Sequence, residues 1–340
     1  MIVLWGVEED APLAAVRSAL RHIGAHFFFL DQSRSGETEI ELSTANGVTG
    51  EIRLGGARCD LESIAAIYLR CHNARAVTPG ANRDEALVRH ADRLDQIMSA
   101  FLDVTAARVV NPAEAMATNG SKPYQSAIIA AHGFAVPSTL ITTDSDEVTA
   151  FAARHGEIIY KSISGVRSIV TRFRPEHAGR LKNLVWCPTQ FQQYLPGRDY
   201  RVHVVGDAVF ATEIVSDADD YRYAARQGED VIIQATLIPL FVADKCRTLA
   251  AELGFALAGI DLRLTPQGEW YCFEVNHRPP SPITPTPPGS RSGRPSPNCL
   301  QRADLPSAGI AGEASPLTAP EPVSRSGGTY RRPVIFYGAR

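Results

Sequence analysis

Two carboxylates and an amide stand close together late in the chain. Asp261 lies in Gly259-Ile260-Asp261-Leu262, and Glu274 and Asn276 lie in Trp270-Tyr271-Cys272-Phe273-Glu274-Val275-Asn276. Between them, Thr265-Pro266-Gln267-Gly268 is a turn cluster joining two apolar runs, which predicts a β-hairpin that brings Asp261 near Glu274 and Asn276. Glu274 and Asn276 are two residues apart and so share one face of the second strand. Magnesium takes hard oxygen donors and is commonly held by one or two carboxylates, with substrate phosphates completing the shell. The set therefore fits a magnesium-nucleotide site. On this segment alone the plainer alternative stays open: two surface charges and a turn residue on an ordinary hairpin.

Three further segments bear on phosphate and nucleotide chemistry. In Asn119-Gly120-Ser121-Lys122-Pro123-Tyr124 a lysine opens a helix, where free backbone N–H groups favour phosphate. A solvated lysine explains that segment equally simply. Lys161 ends an apolar strand just before a loop holding Ser162, Ser164, Gly165, Arg167 and Ser168. A point charge beside a small, hydroxyl-rich loop suits a polyphosphate, and a lysine snorkelling at a sheet edge is the alternative. The third segment, Gln190 to Val205, is an apolar strand interrupted by Leu195-Pro196-Gly197 and resumed at Asp199-Tyr200-Arg201. Its backbone can face an adenine edge while Asp199 reaches a ribose hydroxyl, or it is an ordinary hairpin with a surface Asp.

The elements that must position these residues follow from periodicity. Residues 1–112 alternate strand and helix: Ile2 to Trp5, a helix over Pro12 to Ile23, then Phe27 to Leu30, which predicts a small α/β domain. Glu39 to Leu54 alternates around Asn46-Gly47, a hairpin signal. Ile67 to Arg70 is a further strand, and Asn82 to Val104 a long amphipathic helix with Asn82 as its N-cap. Beyond Asn111-Pro112 the sequence predicts helices over Lys122 to His132, Asp144 to Arg154 and Pro239 to Leu253. Strands are expected over Ile158 to Lys161, Ile169 to Phe173, Pro188 to Gln193, Tyr200 to Val205 and Ala208 to Val215.

Bulk properties narrow the function classes. The chain has 340 residues, a net charge of −3 and six widely scattered cysteines without zinc or disulfide-scaffold spacing. Residues 277–340 hold eight Arg against three acids, which leaves the first 276 residues at −8 and gives no support for a nucleic-acid partner. No apolar run is long enough for a membrane partner, and Met1 to Gly6 reads as a first buried strand rather than a secretion signal, so a cytoplasmic location is expected. Thirteen of the 23 prolines fall in residues 277–340, a composition that predicts disorder.

Taken in order, the motifs carry a family likeness. A lysine at a helix opening, a lysine before a small-residue loop, an apolar hinge with Asp199-Tyr200-Arg201-Val202, then Gly259-Ile260-Asp261 and Glu274-Val275-Asn276 together resemble the ATP-grasp superfamily, in particular its RimK-like, microviridin-ligase-like branch. The resemblance covers residues 1–276. It implies an α/β plus α+β protein: a preATP-grasp domain over 1–112, then an ATP-grasp domain over 113–276 built from a small subdomain (113–187) and a large one (188–276). It further implies Lys122, Lys161, Ser164, Gly165, Arg167, Gln193, Tyr194 and Asp199 as ATP-binding residues, the hinge pair Gln193 and Tyr194 meeting adenine through the backbone. Arg201 and Arg222 are implied near the transferring phosphate, and Asp261, Glu274 and Asn276 as metal ligands. The implied cofactors are ATP and Mg2+, with Mn2+ as a substitute. The implied chemistry is a carboxylate-amine ligation through an acylphosphate, on a small molecule, peptide or protein that bears a carboxylate. An ATP-binding protein without ligase activity, and a kinase using the same clamp, are the alternatives. Oligomeric state is left open, and Tyr68 to His72 fall where such enzymes face the acceptor.

The chain departs from the family after Asn276, where His277-Arg278-Pro279-Pro280-Ser281 replaces a loop and closing helix. Codons read one base out of register from Asn276 to Ala303 permit PSPAFTYYADATGQPIGAAVAELLAAR, a loop followed by an amphipathic helix. The codon spanning Asn298 and Cys299 must then encode Leu. We hypothesise a frameshift close to Asn276. Early stop codons in the shifted frame of the gene would contradict it.

Overall fold

The computed structural model describes residues 1–82, 84–162, 170–186, 189–216 and 230–277. Four parallel strands, β1 (Ile2–Gly6), β2 (Phe27–Asp31), β6 (Ala66–Leu69) and β7 (Arg108–Val110), form a sheet in the order β2-β1-β6-β7. Val3 and Leu4 of the central β1 are wholly buried, as expected of a parallel strand covered on both faces. Helix α1 (Ala11–His22) starts at Asp10, whose carboxylate accepts from the Leu13 amide at 2.9 Å. The short α2 (Ala74–Val77) precedes α3 (Glu85–Val104), which buries Val88, Ala91, Leu94, Met98 and Phe101 on one stripe. Its N-cap is Asp84, accepting from the Ala86 and Leu87 amides, rather than Asn82. A second sheet joins β3 (Thr38–Ser43), β4 (Thr49–Leu54) and β5 (Ala57–Asp60). Ser43 pairs with Thr49, so the Asn46-Gly47 hairpin is observed with a longer loop than a two-residue turn.

One part-buried acid in this region, Asp95, makes stability depend on pH. The Gln32 amide donates to both Asp95 oxygens, at 3.1 and 3.3 Å, and clamps the His72 backbone by donating to its carbonyl and accepting from its amide. Burial pushes the Asp95 carboxyl up to about 6, against the pull of the Gln32 bonds. Unfolded, it titrates near 3.9. The folded chain therefore favours the protonated acid, and the stability this contributes at low pH is lost as pH rises through about 6. Asp95→Asn is expected to raise the unfolding free energy more at pH 8 than at pH 5, which urea titrations at the two pH values check.

Beyond β7 and the short α4 (Ala113–Met116) lie two antiparallel sheets. The smaller runs β10-β9-β11-β8, with β8 (Thr139–Thr142), β9 (Ile158–Ser162), β10 (Thr171–Arg172) and β11 (Thr189–Gln193). Helix α6 (Ser145–His155) covers it through Val148 and Phe151, which pack with Ile158, Leu184 and Phe191. The larger runs β14-β13-β12-β15-β16, with β12 (Arg198–Val205), β13 (Ala208–Val215), β14 (Ile232–Thr236), β15 (Leu257–Leu264) and β16 (Trp270–Asn276). Helices α5 (Lys122–Ala131) and α7 (Leu240–Glu252) pack against its buried face, where Ile129, Val202, Val242, Leu249, Ala258, Ile260 and Val275 meet. No described helix is long and apolar enough to cross a membrane.

Two features depart from the expected subdomain division. Strand β11 pairs with β8 and β9, so the two sheets part after Gln193 rather than between residues 187 and 188. The physical break is Leu195-Pro196-Gly197: proline cannot donate to a ladder, and Gly197 holds φ +153, where a Cβ would come within 2.3 Å of the Leu264 carbonyl oxygen. Helix α5, expected in the small subdomain, packs with the large sheet through Ile129. The tail expected over 277–340 lies outside the described residues beyond His277.

Candidate functional site

The hairpin of β15 and β16 closes through Thr265, whose carbonyl accepts from the Gly268 amide and whose amide donates to the Glu269 carbonyl, with Gly268 at φ +85. Asp261 then pairs with Glu274 and Gly259 with Asn276, while Leu262 pairs with Cys272. Phe273 is thus an extra residue, a β-bulge. The bulge lets Cys272 and Val275, three residues apart, both enter the core while Glu274 stays opposite Asp261. Simple alternation predicted the shared face of Glu274 and Asn276; the three-residue spacing of Cys272 and Val275 was the signal for the bulge.

Strand β12 adds a third row. Tyr200, Val202 and Val204 face the core, which turns Asp199, Arg201 and His203 to the opposite face. Arg201 pairs in register with Asp261, and its Nε lies 2.9 Å from Asp261 Oδ1. Asn276 Nδ2 donates to Asp261 Oδ2 at 3.3 Å. The structure therefore brings Arg201, Asp261, Glu274 and Asn276 together on one face of β12, β15 and β16.

Lys122 is tied to the same strand. It opens α5 behind the Ser121 cap, one turn before Gln125. The buried Gln125 side chain donates to the Val275 carbonyl at 2.8 Å and accepts from the Val275 amide at 3.0 Å. Val275 stands between Glu274 and Asn276, so this amide clamp fixes the lysine-bearing helix to the carboxylate-bearing strand. Asn111, following β7, bonds both the amide and carbonyl of Leu257 and the carbonyl of His277, at 3.1, 2.7 and 2.6 Å. That anchors the carboxyl edge of the parallel sheet to the same end of β15 and β16. Gln125→Ala strips Val275 of both partners and is expected to lower stability by about 2 to 4 kcal/mol in chemical denaturation.

On the small sheet, Lys161 pairs in register with Gln190, and its Nζ lies 3.5 Å from Gln192 Oε1. Gln192 in turn donates to Thr139 Oγ1 at 2.9 Å. The Gln193 amide donates to the Ser138 carbonyl and the Tyr194 amide to the Glu157 carbonyl, both at 2.9 Å. Those two backbone amides are committed to the fold. Tyr194 carries Arg172 over its ring at 4.0 Å, and its hydroxyl accepts from Arg172 at 2.7 Å. Asp199 is held by a fork from Arg263, at 2.7 and 2.8 Å. Sequence inspection passed over Arg263, which sits in an apolar run; its signal was the register that puts it opposite Asp199.

Arg70 and His72, just past β6, converge on Asp10: the Arg70 fork measures 3.0 and 2.9 Å, and His72 Nε2 lies 3.3 Å away. Burial pushes the Asp10 carboxyl up, but the Arg70, Leu13 and His72 hydrogen bonds together hold it below the usual range. Ser164, Gly165, Arg167 and Arg222 lie outside the described residues.

The donor set suits a hard divalent cation. Among the described residues no three His, Cys, Asp or Glu side chains gather into a cage. Two carboxylates and one amide oxygen are what magnesium uses when phosphate oxygens and water supply the rest of its shell. The same set lacks the sulfur and imidazole donors of a structural zinc site.

No family model matches the chain. It is 29% identical over 189 residues to the alpha-aminoadipate–LysW ligase LysX of Sulfolobus acidocaldarius, a match covering 50% of this chain and 66% of that protein, just under two thirds of its length. Among solved structures it is similar to the ATP-grasp ligase PsnB, complexed with a phosphomimetic variant of its minimal precursor, Mg and ADP, at TM-score 0.66 and 25% identity over 81% of this chain and 89% of that one. The macrocyclase MdnC from Microcystis aeruginosa MRC, bound with precursor peptide MdnA, shares the fold at TM-score 0.69 and 20% identity, covering 81% and 91% of the two chains. With its α/β domain and its two antiparallel sheets, the chain is similar in fold to these ATP-grasp ligases, as the order of its motifs led us to expect.

Proposed function

We propose that the chain is a magnesium- and ATP-dependent ligase that joins a carboxylate to an amine, with a peptide or protein as the carboxylate-bearing substrate. The observation that carries this is the gathering of Arg201, Asp261, Glu274 and Asn276 on one face, with Lys122 clamped to the same strand through Gln125. The peptide substrate is argued from PsnB and MdnC, both solved with precursor peptides.

In this scheme Lys122 and Lys161 offset phosphate charge and Arg201 stands by the transferring group. Asp261, Glu274 and the Asn276 carbonyl oxygen would hold Mg2+, or Mn2+ in its place. The ion supplies neutralisation of the phosphate oxygens as charge shifts during transfer. The γ-phosphoryl passes to a carboxylate oxygen of the substrate with release of ADP. An amine then attacks the acyl carbon and phosphate leaves. Positioning and charge neutralisation suffice for phosphoryl transfer, so no covalent protein nucleophile is required.

The test is ADP release from the purified chain against a panel of carboxylate-bearing peptides, with hydroxylamine as the trapping amine. Carboxylate-dependent ADP release with hydroxamate formation is expected. ADP release without hydroxamate would assign a kinase, and ATP binding without turnover on any carboxylate would assign a binding protein.

A further inference from the structure

We infer that Arg263 is a positioning residue that presets Asp199 and the Leu195 carbonyl for the ribose, and so sets how strongly the protein distinguishes ATP from its deoxy analogues. The inference rests on the nucleotide site proposed above and names the residue that tunes it.

Asp199 and Arg263 are register partners on β12 and β15, on the face that carries Arg201 and Asp261. One guanidinium makes three bonds: Nε and Nη2 to the two Asp199 oxygens at 2.7 and 2.8 Å, and Nη1 to the Leu195 carbonyl at 2.8 Å. It therefore locks the orientation of the carboxylate and ties it to the hinge between the two sheets. The plane of the guanidinium is backed by the Phe273 ring, 5.3 Å away, on the bulge that also sets Glu274. Gly197 makes the close approach possible, since a Cβ there would come within 3.0 Å of Arg263 Cγ.

An ionised carboxylate offers about four lone-pair directions, of which the fork uses two. The outer pair remains for hydroxyl donors, and Asp199 keeps 27% of its side chain exposed. A vicinal diol brings two donors to two prealigned acceptors, whereas a freely rotating carboxylate would have to be ordered on binding. Lysine cannot replace the fork, because a single ammonium fixes one direction and not a plane.

The experiment is calorimetric titration of the full chain with ATP, 2′-deoxyATP and 3′-deoxyATP in magnesium, on the unsubstituted protein, Arg263→Ala and Arg263→Lys. The unsubstituted chain is expected to bind ATP at least about 10-fold more tightly than a deoxy analogue, the range for a lost hydrogen bond to a charged acceptor. Arg263→Ala is expected to weaken ATP about 10-fold or more while moving the deoxy analogues less than about 3-fold, collapsing the discrimination. Arg263→Lys, which retains charge and bulk should the alanine variant not fold, is expected to lose most of it too. Equal weakening of all three nucleotides in a folded variant, with the discrimination intact, would overturn the inference. Failure of the folded, unsubstituted chain to bind ATP would overturn the nucleotide site itself.

Discussion

Glu274→Gln is expected to abolish carboxylate-dependent ADP release, lowering kcat by at least about 100-fold while the chain stays folded. The amide retains the shape and one oxygen of the carboxylate but removes the charge that, on the proposed function, would draw a divalent cation to β16. Glu274 is the cleaner probe of the two acids. Asp261 also bonds Arg201 at 2.9 Å, so Asp261→Asn would weaken the proposed metal site and unsettle the arginine together. Steady-state turnover at saturating ATP and varied magnesium checks the prediction. Unchanged turnover in Glu274→Gln would remove the metal assignment from this hairpin.

Lys161→Ala is expected to act on nucleotide affinity, raising the ATP KM by about 10- to 100-fold with a smaller fall in kcat. The side chain leaves the end of β9 on the same face as Gln190 and Gln192, and its ammonium reaches the Gln192 amide oxygen at 3.5 Å. A lysine is a mobile point charge, suited to an anion that arrives and leaves. Lys161→Arg restores charge without matching the ammonium geometry and should recover part of the loss. A fall in kcat at unchanged KM would place Lys161 in the chemical step instead.

The hairpin that carries the acids was legible because two apolar runs flank a Thr-Pro-Gln-Gly turn, and a turn of that composition leaves little freedom in pairing. Opposing Asp261 and Glu274 also needs the bulge, because the register set by the turn alone would place Asp261 opposite Phe273. The bulge at Phe273 was not read, because alternation was applied only to Glu274 and Asn276, which lie on one side of it. The partner of Arg201 was equally hidden, since cross-strand register between β12 and β15 spans some sixty residues of chain.

Strand β11 was placed with the wrong sheet for a related reason. It adjoins β12 in sequence, but it pairs with β8 and β9, and Phe191 packs with Tyr160 and Phe173 at ring separations of 6.3 and 6.0 Å. Gln125 and Asn111 gave no motif signal. Their roles exist only where an amide meets the backbone of a distant strand, 150 and 146 residues away for Val275 and Leu257. The hinge was legible as a break in the apolar run, but not which of its amides the fold had already used.

The measurement that bears most directly on the account is calorimetric titration of the folded chain with ATP, with and without magnesium, repeated on Glu274→Gln. The account predicts saturable binding that strengthens with magnesium in the unsubstituted chain, and loses that magnesium dependence in the variant. A folded chain that binds no ATP, or binds it with the same magnesium dependence after Glu274 is replaced, would contradict it.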